Sequence, residues 1–146
     1  VNADFASGYG KAPQDVADSV TRCIATGVAG LSIEDATGDP SSPLYDLPLA
    51  VERVRAARQA IDQSRADVLL TARAECYLVG HPDALRESVR RLQAYAEAGA
   101  DVALSPMDES SRRRPVTGTS IQLEVAPASA LERRRLLRRS PPANRR

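Results

Sequence analysis

The chain has no tryptophan and a single phenylalanine, Phe5, and aromatic residues make up only 3% of it. Any core it builds must therefore be aliphatic. Cysteine is scarce as well. Cys23 and Cys76 have no metal-type spacing, which points to reduced thiols and a cytoplasmic setting rather than a disulfide framework. The one histidine, His81, stands beside Pro82 ahead of a helical stretch and reads as a solvated loop residue. No apolar run approaches the roughly 18 residues of a membrane span. The opening residues Val1-Asn2-Ala3-Asp4 are not a basic stretch leading into an apolar one, so no signal peptide is expected.

What remains is a chain of 146 residues, 42% hydrophobic, enough for one domain with a real core. Its net charge of +1 hides an asymmetry. Residues 1–107 hold ten basic side chains (nine Arg and Lys11) against fifteen acidic ones, whereas residues 108–146 hold ten Arg against four acids. An acidic body, 1–107, is thus expected to carry a basic and largely irregular or disordered tail, 108–146.

The body alternates regularly. After a short first strand, residues 13–27 read as a helix with Val16, Val20, Cys23 and Ile24 on one face. Residues 28–33 read as a buried strand, and Asp39-Pro40-Ser41-Ser42-Pro43 as a loop. Residues 49–61 form a second helix, apolar at Leu49, Val51, Val54, Ala57 and Ile61, with its arginines expected to face out. A strand at 68–72 follows. The third helix is expected over 83–98, with Leu85, Val89, Leu92 and Tyr95 lining its apolar face, and another strand at 101–105. Strands beginning near 1, 30, 68 and 101 give the βα rhythm of a parallel sheet. The fold class is therefore α/β with parallel strands; four such βα units make about half of a (β/α)8 barrel, an architecture of roughly 250 residues when complete. Beyond Met107 the rhythm breaks; a short strand is expected near 120–125, a short Arg-rich helix near 128–139 and disorder at 140–146.

Three strand-like runs finish on charge: Val1-Asn2-Ala3-Asp4, Gly30-Leu31-Ser32-Ile33-Glu34-Asp35 and Val68-Leu69-Leu70-Thr71-Ala72-Arg73-Ala74-Glu75. Parallel α/β proteins bind ligands outside the carboxyl ends of their strands, so acids and an arginine at those ends read as chemistry. Those charges are expected to converge on one metal-binding mouth.

These residues, with Gly8-Tyr9-Gly10, Gly27-Val28-Ala29-Gly30, Gly38-Asp39, Pro43-Leu44-Tyr45-Asp46, the stretch 50–58 and the stretch 90–101, resemble the isocitrate lyase / phosphoenolpyruvate mutase superfamily over residues 1 to about 106. The resemblance implies a TIM-type barrel of which this chain holds the third to sixth strands, an apparently truncated member. It also implies Mg²⁺, or Mn²⁺ in its place, and a small 2-oxo or phosphono acid substrate that reacts through an enolate. Asp4 and Glu34 match the family's metal-shell acids. Arg73 matches the strand-end arginine that clamps a substrate carboxylate, with Glu34 beside it in the catalytic group; the plainer reading of Arg73 is a salt bridge to Glu75 or Glu34. Tyr9 and Glu75 are expected to line or support the substrate pocket. A homo-oligomer is expected for the complete barrel.

The sequence also departs from that pattern. Asn2 and Ala6 stand where branches of the family carry acids, Thr71 replaces an Asn, and residues 36–43 contain neither Cys nor Lys, so no general acid/base is identifiable for isocitrate-type cleavage. A change of reading frame after Pro106 would account for the tail. Three readings follow: a Mg²⁺-dependent lyase, mutase or hydrolase; a non-catalytic remnant of one, its sheet edges unpaired; and a nucleic-acid binder resting on the arginines of the tail. The tail lacks interleaved aromatics, which weighs against the last.

Overall fold

The computed structural model describes residues 1–106 and 120–123. Its elements are β1 (Asn2–Asp4), α1 (Pro13–Ile24), β2 (Gly30–Glu34), α2 (Leu47–Ser64), β3 (Leu69–Arg73), α3 (Ala84–Glu97), β4 (Val102–Pro106) and β5 (Ser120–Leu123). The sheet order is β1-β2-β3-β4-β5; the first four strands are parallel and β5 is antiparallel to β4. Each parallel strand lies beside its predecessor in the chain. That one-way progression is the order of a (β/α)8 barrel and lacks the reversal that marks a doubly wound sheet. The strand expected near 120 is present as β5, while the helix expected near 128–139 and the residues after it lie outside the described residues.

Local chemistry sets the element ends. Pro13 opens α1, where a missing N–H costs nothing, and the Asp15 carboxylate accepts the Ala12 amide at 3.1 Å. Pro48 lies in the first turn of α2, which therefore begins earlier than its apolar pattern and runs on to Ser64, closed by Arg65 in the left-handed region (φ 57°). Gly99 follows α3 at φ 104°, and a Cβ there would lie 2.8 Å from Arg58 Cγ, so both backbone and space demand glycine.

Alternation along the strands divides the sheet into two faces. Leu31 and Ile33 of β2, Leu70 and Ala72 of β3 and Ala103 of β4 pack in one core with Val16 and Val20 of α1, Val54, Ala57 and Ile61 of α2, and Leu92 and Tyr95 of α3. The ladder register places Asp4, Ser32 and Thr71 in one row on the opposite face, and Glu34 and Arg73 in the next row toward the carboxyl ends.

Two sequence expectations fail, for one reason. Arg53, expected to face out from α2, is 1% exposed. On α3, Leu85 is 56% exposed, while Ser88 and Arg91 are buried beside Leu92, Tyr95 and Ala96. In both helices the inward stripe carries polar side chains because it meets polar groups of the loops and strand ends, which an apolar pattern does not reveal. Among the described residues no helix is long and apolar enough to cross a membrane.

Candidate functional site

The carboxyl ends of β1, β2 and β3 bring Asp4, Glu34 and Arg73 to the same face of the sheet. Glu34 and Arg73 are register partners on adjacent strands, and their side chains meet, Arg73 Nη1 to Glu34 Oε1 at 2.9 Å. Arg73 Nε donates to Glu75 Oε1 at 2.8 Å, so the guanidinium bridges two carboxylates. Asp4 is the register partner of Ser32, whose hydroxyl donates to Asp4 Oδ1 at 3.4 Å.

The electrostatics of this rim are strained toward negative charge. Burial pushes the Glu34 carboxyl up from its ordinary value; Arg73 opposes that shift, and Asp4 and Asp35 add to it. Glu75 is wholly buried, and burial pushes its carboxyl up to about 7, again opposed by Arg73 and reinforced by Glu34 and Asp35. Its Oε2 is buried with no hydrogen-bond partner. The corner thus gathers three carboxylates, Asp4, Glu34 and Glu75, around the single guanidinium of Arg73, a field that favours an added cation.

Behind the rim, Asp35 is a hub. It is 3% exposed; its Oδ1 accepts the Glu75 amide at 2.8 Å, and its Oδ2 accepts Arg91 Nη1 at 2.9 Å and the Tyr95 hydroxyl at 2.5 Å. Arg91 also donates to the Tyr45 carbonyl and to Glu87. Burial, reinforced by Asp35, pushes the Tyr95 hydroxyl up, so it remains a donor. One carboxylate thereby fixes the ends of β2 and β3, which carry Glu34 and Arg73, against α3. The spacing of Ser88, Arg91, Leu92 and Tyr95 on one helical stripe was the available signal.

Tyr9 lies in the loop between β1 and α1, 72% exposed, its ring edge-on to Phe5 with centroids 5.0 Å apart. Phe5 in turn packs against the core. Cys76 is wholly buried, and burial pushes its thiol up, as for an inert core residue. The structure therefore brings Asp4, Glu34, Arg73 and Glu75 to one strand-end corner and leaves Tyr9 exposed on the β1–α1 loop.

Among the described residues no group of three or more His, Cys, Asp or Glu side chains is arranged to hold a metal ion. The donor set present is two carboxylates on one face, Asp4 and Glu34, with all-oxygen chemistry. That fits Mg²⁺, which is commonly held by one or two carboxylates with the remaining positions left to water and substrate.

The strand order and the charged corner define a barrel-type α/β chain with charged side chains at the carboxyl ends of its strands. The family model described as phosphoenolpyruvate phosphomutase matches residues 1–134. The 2-methylisocitrate lyase of Escherichia coli K12 is 35% identical over 108 residues, covering 70% of this chain and 34% of the lyase. Among solved structures, a candidate lyase/mutase from Burkholderia cenocepacia J2315 superposes with a TM-score of 0.70 at 43% identity, over 73% of this chain and 38% of that one. A phosphonopyruvate hydrolase in complex with oxalate and Mg²⁺ gives 0.65 at 32% identity, over 74% and 37%. The chain belongs to the isocitrate lyase / phosphoenolpyruvate mutase superfamily. It spans about a third of the length of the curated relatives it matches, 34% and 38%.

Proposed function

We propose that the chain supplies the rim of a Mg²⁺-dependent lyase, mutase or hydrolase that acts on a small 2-oxo or phosphono acid through an enolate, with residues 1–107 as the catalytic-type part and 108–146 as a basic tail. The observation that carries this reading is the placement of Asp4, Glu34 and Arg73 on one face at the carboxyl ends of adjacent parallel strands. Similarity to a 2-methylisocitrate lyase and to a phosphonopyruvate hydrolase bound to oxalate and Mg²⁺ supports the substrate class.

Asp4 and Glu34 would hold the cation. When bound, Mg²⁺ supplies Lewis-acid stabilisation of negative charge on a substrate oxygen. Arg73 offers a planar fork suited to a substrate carboxylate or phosphonate. In the present arrangement that fork is engaged by Glu34 and Glu75. Substrate therefore competes with two internal carboxylates, and a Glu75 that is protonated near neutral pH loosens one of them. Ser32 orients Asp4, and Asp35 holds the strand ends in register.

The test is direct. The full chain incubated with Mg²⁺ and phosphonopyruvate, oxaloacetate or 2-methylisocitrate releases pyruvate from at least one, and Arg73→Ala abolishes the release. Silence across the panel refutes catalysis by this chain. It would favour the second reading, a non-catalytic remnant, for which the engagement of the Arg73 fork by Glu34 and Glu75 is the specific observation.

A further inference from the structure

Arg53 is among the largest fully buried side chains of the protein, yet none of the ion pairs among the described residues includes it. A buried charge without a countercharge persists only where its hydrogen bonds are met in full. Here they go to a single loop. Arg53 Nη1 donates to the carbonyls of Gly10 at 2.5 Å and Lys11 at 2.6 Å, and Nη2 donates to the carbonyl of Ser7. The Tyr45 ring covers the guanidinium, 4.1 Å from Cζ to the ring centroid.

The loop so held follows an unusual course. Ala6 (φ 44°), Gly8 (φ 77°) and Tyr9 (φ 56°) all lie in the left-handed region, which L side chains adopt only when the surroundings impose it. Gly8 is further confined, because a Cβ there would stand 3.2 Å from both Ile33 and Val16. The Ala6 carbonyl accepts the Glu34 amide at 2.9 Å, which ties the loop to the strand end that carries Glu34. One face of the loop is thus bound to β2 and the other to α2 through Arg53, with Tyr9 at the exposed tip between them.

We propose that Arg53 is a positioning residue for the mouth: its buried guanidinium clamps the Ser7–Lys11 turn in its left-handed course beside the strand end that carries Glu34. Its significance for substrate rests on the function proposed above; the clamp itself does not.

Lys11 is the only lysine in the chain, so endoproteinase Lys-C has one site, inside the clamped turn. The full chain is cut slowly there. Arg53→Ala is cut at least about tenfold faster while far-ultraviolet dichroism and cooperative unfolding are retained, since cutting follows local opening. Millimolar guanidinium ion restores slow cutting in Arg53→Ala and leaves the wild type unchanged. Equal cutting rates in wild type and variant overturn the proposal. If Arg53→Ala does not fold, Tyr45→Leu decides: it keeps the guanidinium but strips its aromatic cover, and cutting accelerates about threefold; an unchanged rate overturns the clamp. Oxalate with Mg²⁺ slows cutting in the wild type and not in Arg53→Ala. Failure of that arm alone overturns the functional reading of the mouth and leaves the clamp standing.

Discussion

The two sides of the mouth are each held by a buried arginine, and the two arginines are supported differently. Behind β2 and β3, Arg91 is paired with Asp35 at 2.9 Å and shares that carboxylate with Tyr95. Beneath the β1–α1 loop, Arg53 has only carbonyl oxygens and an aromatic face. The first arrangement balances charge and distributes it over several elements, so it fixes strands. The second concentrates one cation on one turn, so it fixes a loop. Breaking the first should damage the whole fold, and breaking the second should damage the mouth before the fold.

The largest effect is expected at the hub. Asp35→Ala leaves Arg91 and Tyr95 buried without their shared acceptor and should lower stability by about 3 kcal/mol, read as a shift in the urea midpoint. Arg53→Ala should cost less, about 2 kcal/mol, with most of the change appearing as local opening at Lys11. If the two variants lose equal stability and open the loop equally, the contrast between them is wrong.

A third prediction concerns pH. The Glu75 carboxyl lies at about 7 in the folded chain against 4.5 for the group unperturbed, so the folded state binds the extra proton between those values. Stability should therefore fall as pH rises from about 4.5 to about 7 and level off above it. Glu34 shifts in the same direction, so Glu75→Gln should flatten this slope without removing it. Denaturation midpoints of both proteins across that range provide the check. The smallest effect is Tyr45→Leu, about 1 kcal/mol from the lost cation–π contact, measured the same way.

Much of this was legible in the sequence because period and punctuation carry it. Alternating apolar runs and the glycines at 27, 30 and 99 gave four strands and three helices in the right order, and placed Asp4, Glu34 and Arg73 at strand ends. The buried polar residues were not legible. Arg53 and Arg91 fall on inward helical stripes, beside Ala50, Val54 and Ala57 in one case and Ser88, Leu92 and Tyr95 in the other. Helical geometry alone points them inward, but arginine is so rarely buried that composition overrides it. Only the partner, Asp35 or the Ser7–Lys11 carbonyls, makes such burial tolerable, and partners distant in sequence leave no local trace. Glu75 reads from the sequence as a supporting pocket residue, and a salt bridge of Arg73 to Glu75 or Glu34 is the plainer reading of that arginine; both bridges form, but the complete burial of Glu75 emerges only once β2 and β3 are laid side by side.

The central claim is that Asp4, Glu34 and Arg73 form one working rim. Isothermal titration calorimetry of the full chain with oxalate, with and without Mg²⁺, tests it most directly. The account predicts oxalate binding that requires Mg²⁺ and is lost in both Glu34→Gln and Arg73→Ala. No Mg²⁺-dependent binding, or binding unchanged by either substitution, would contradict it.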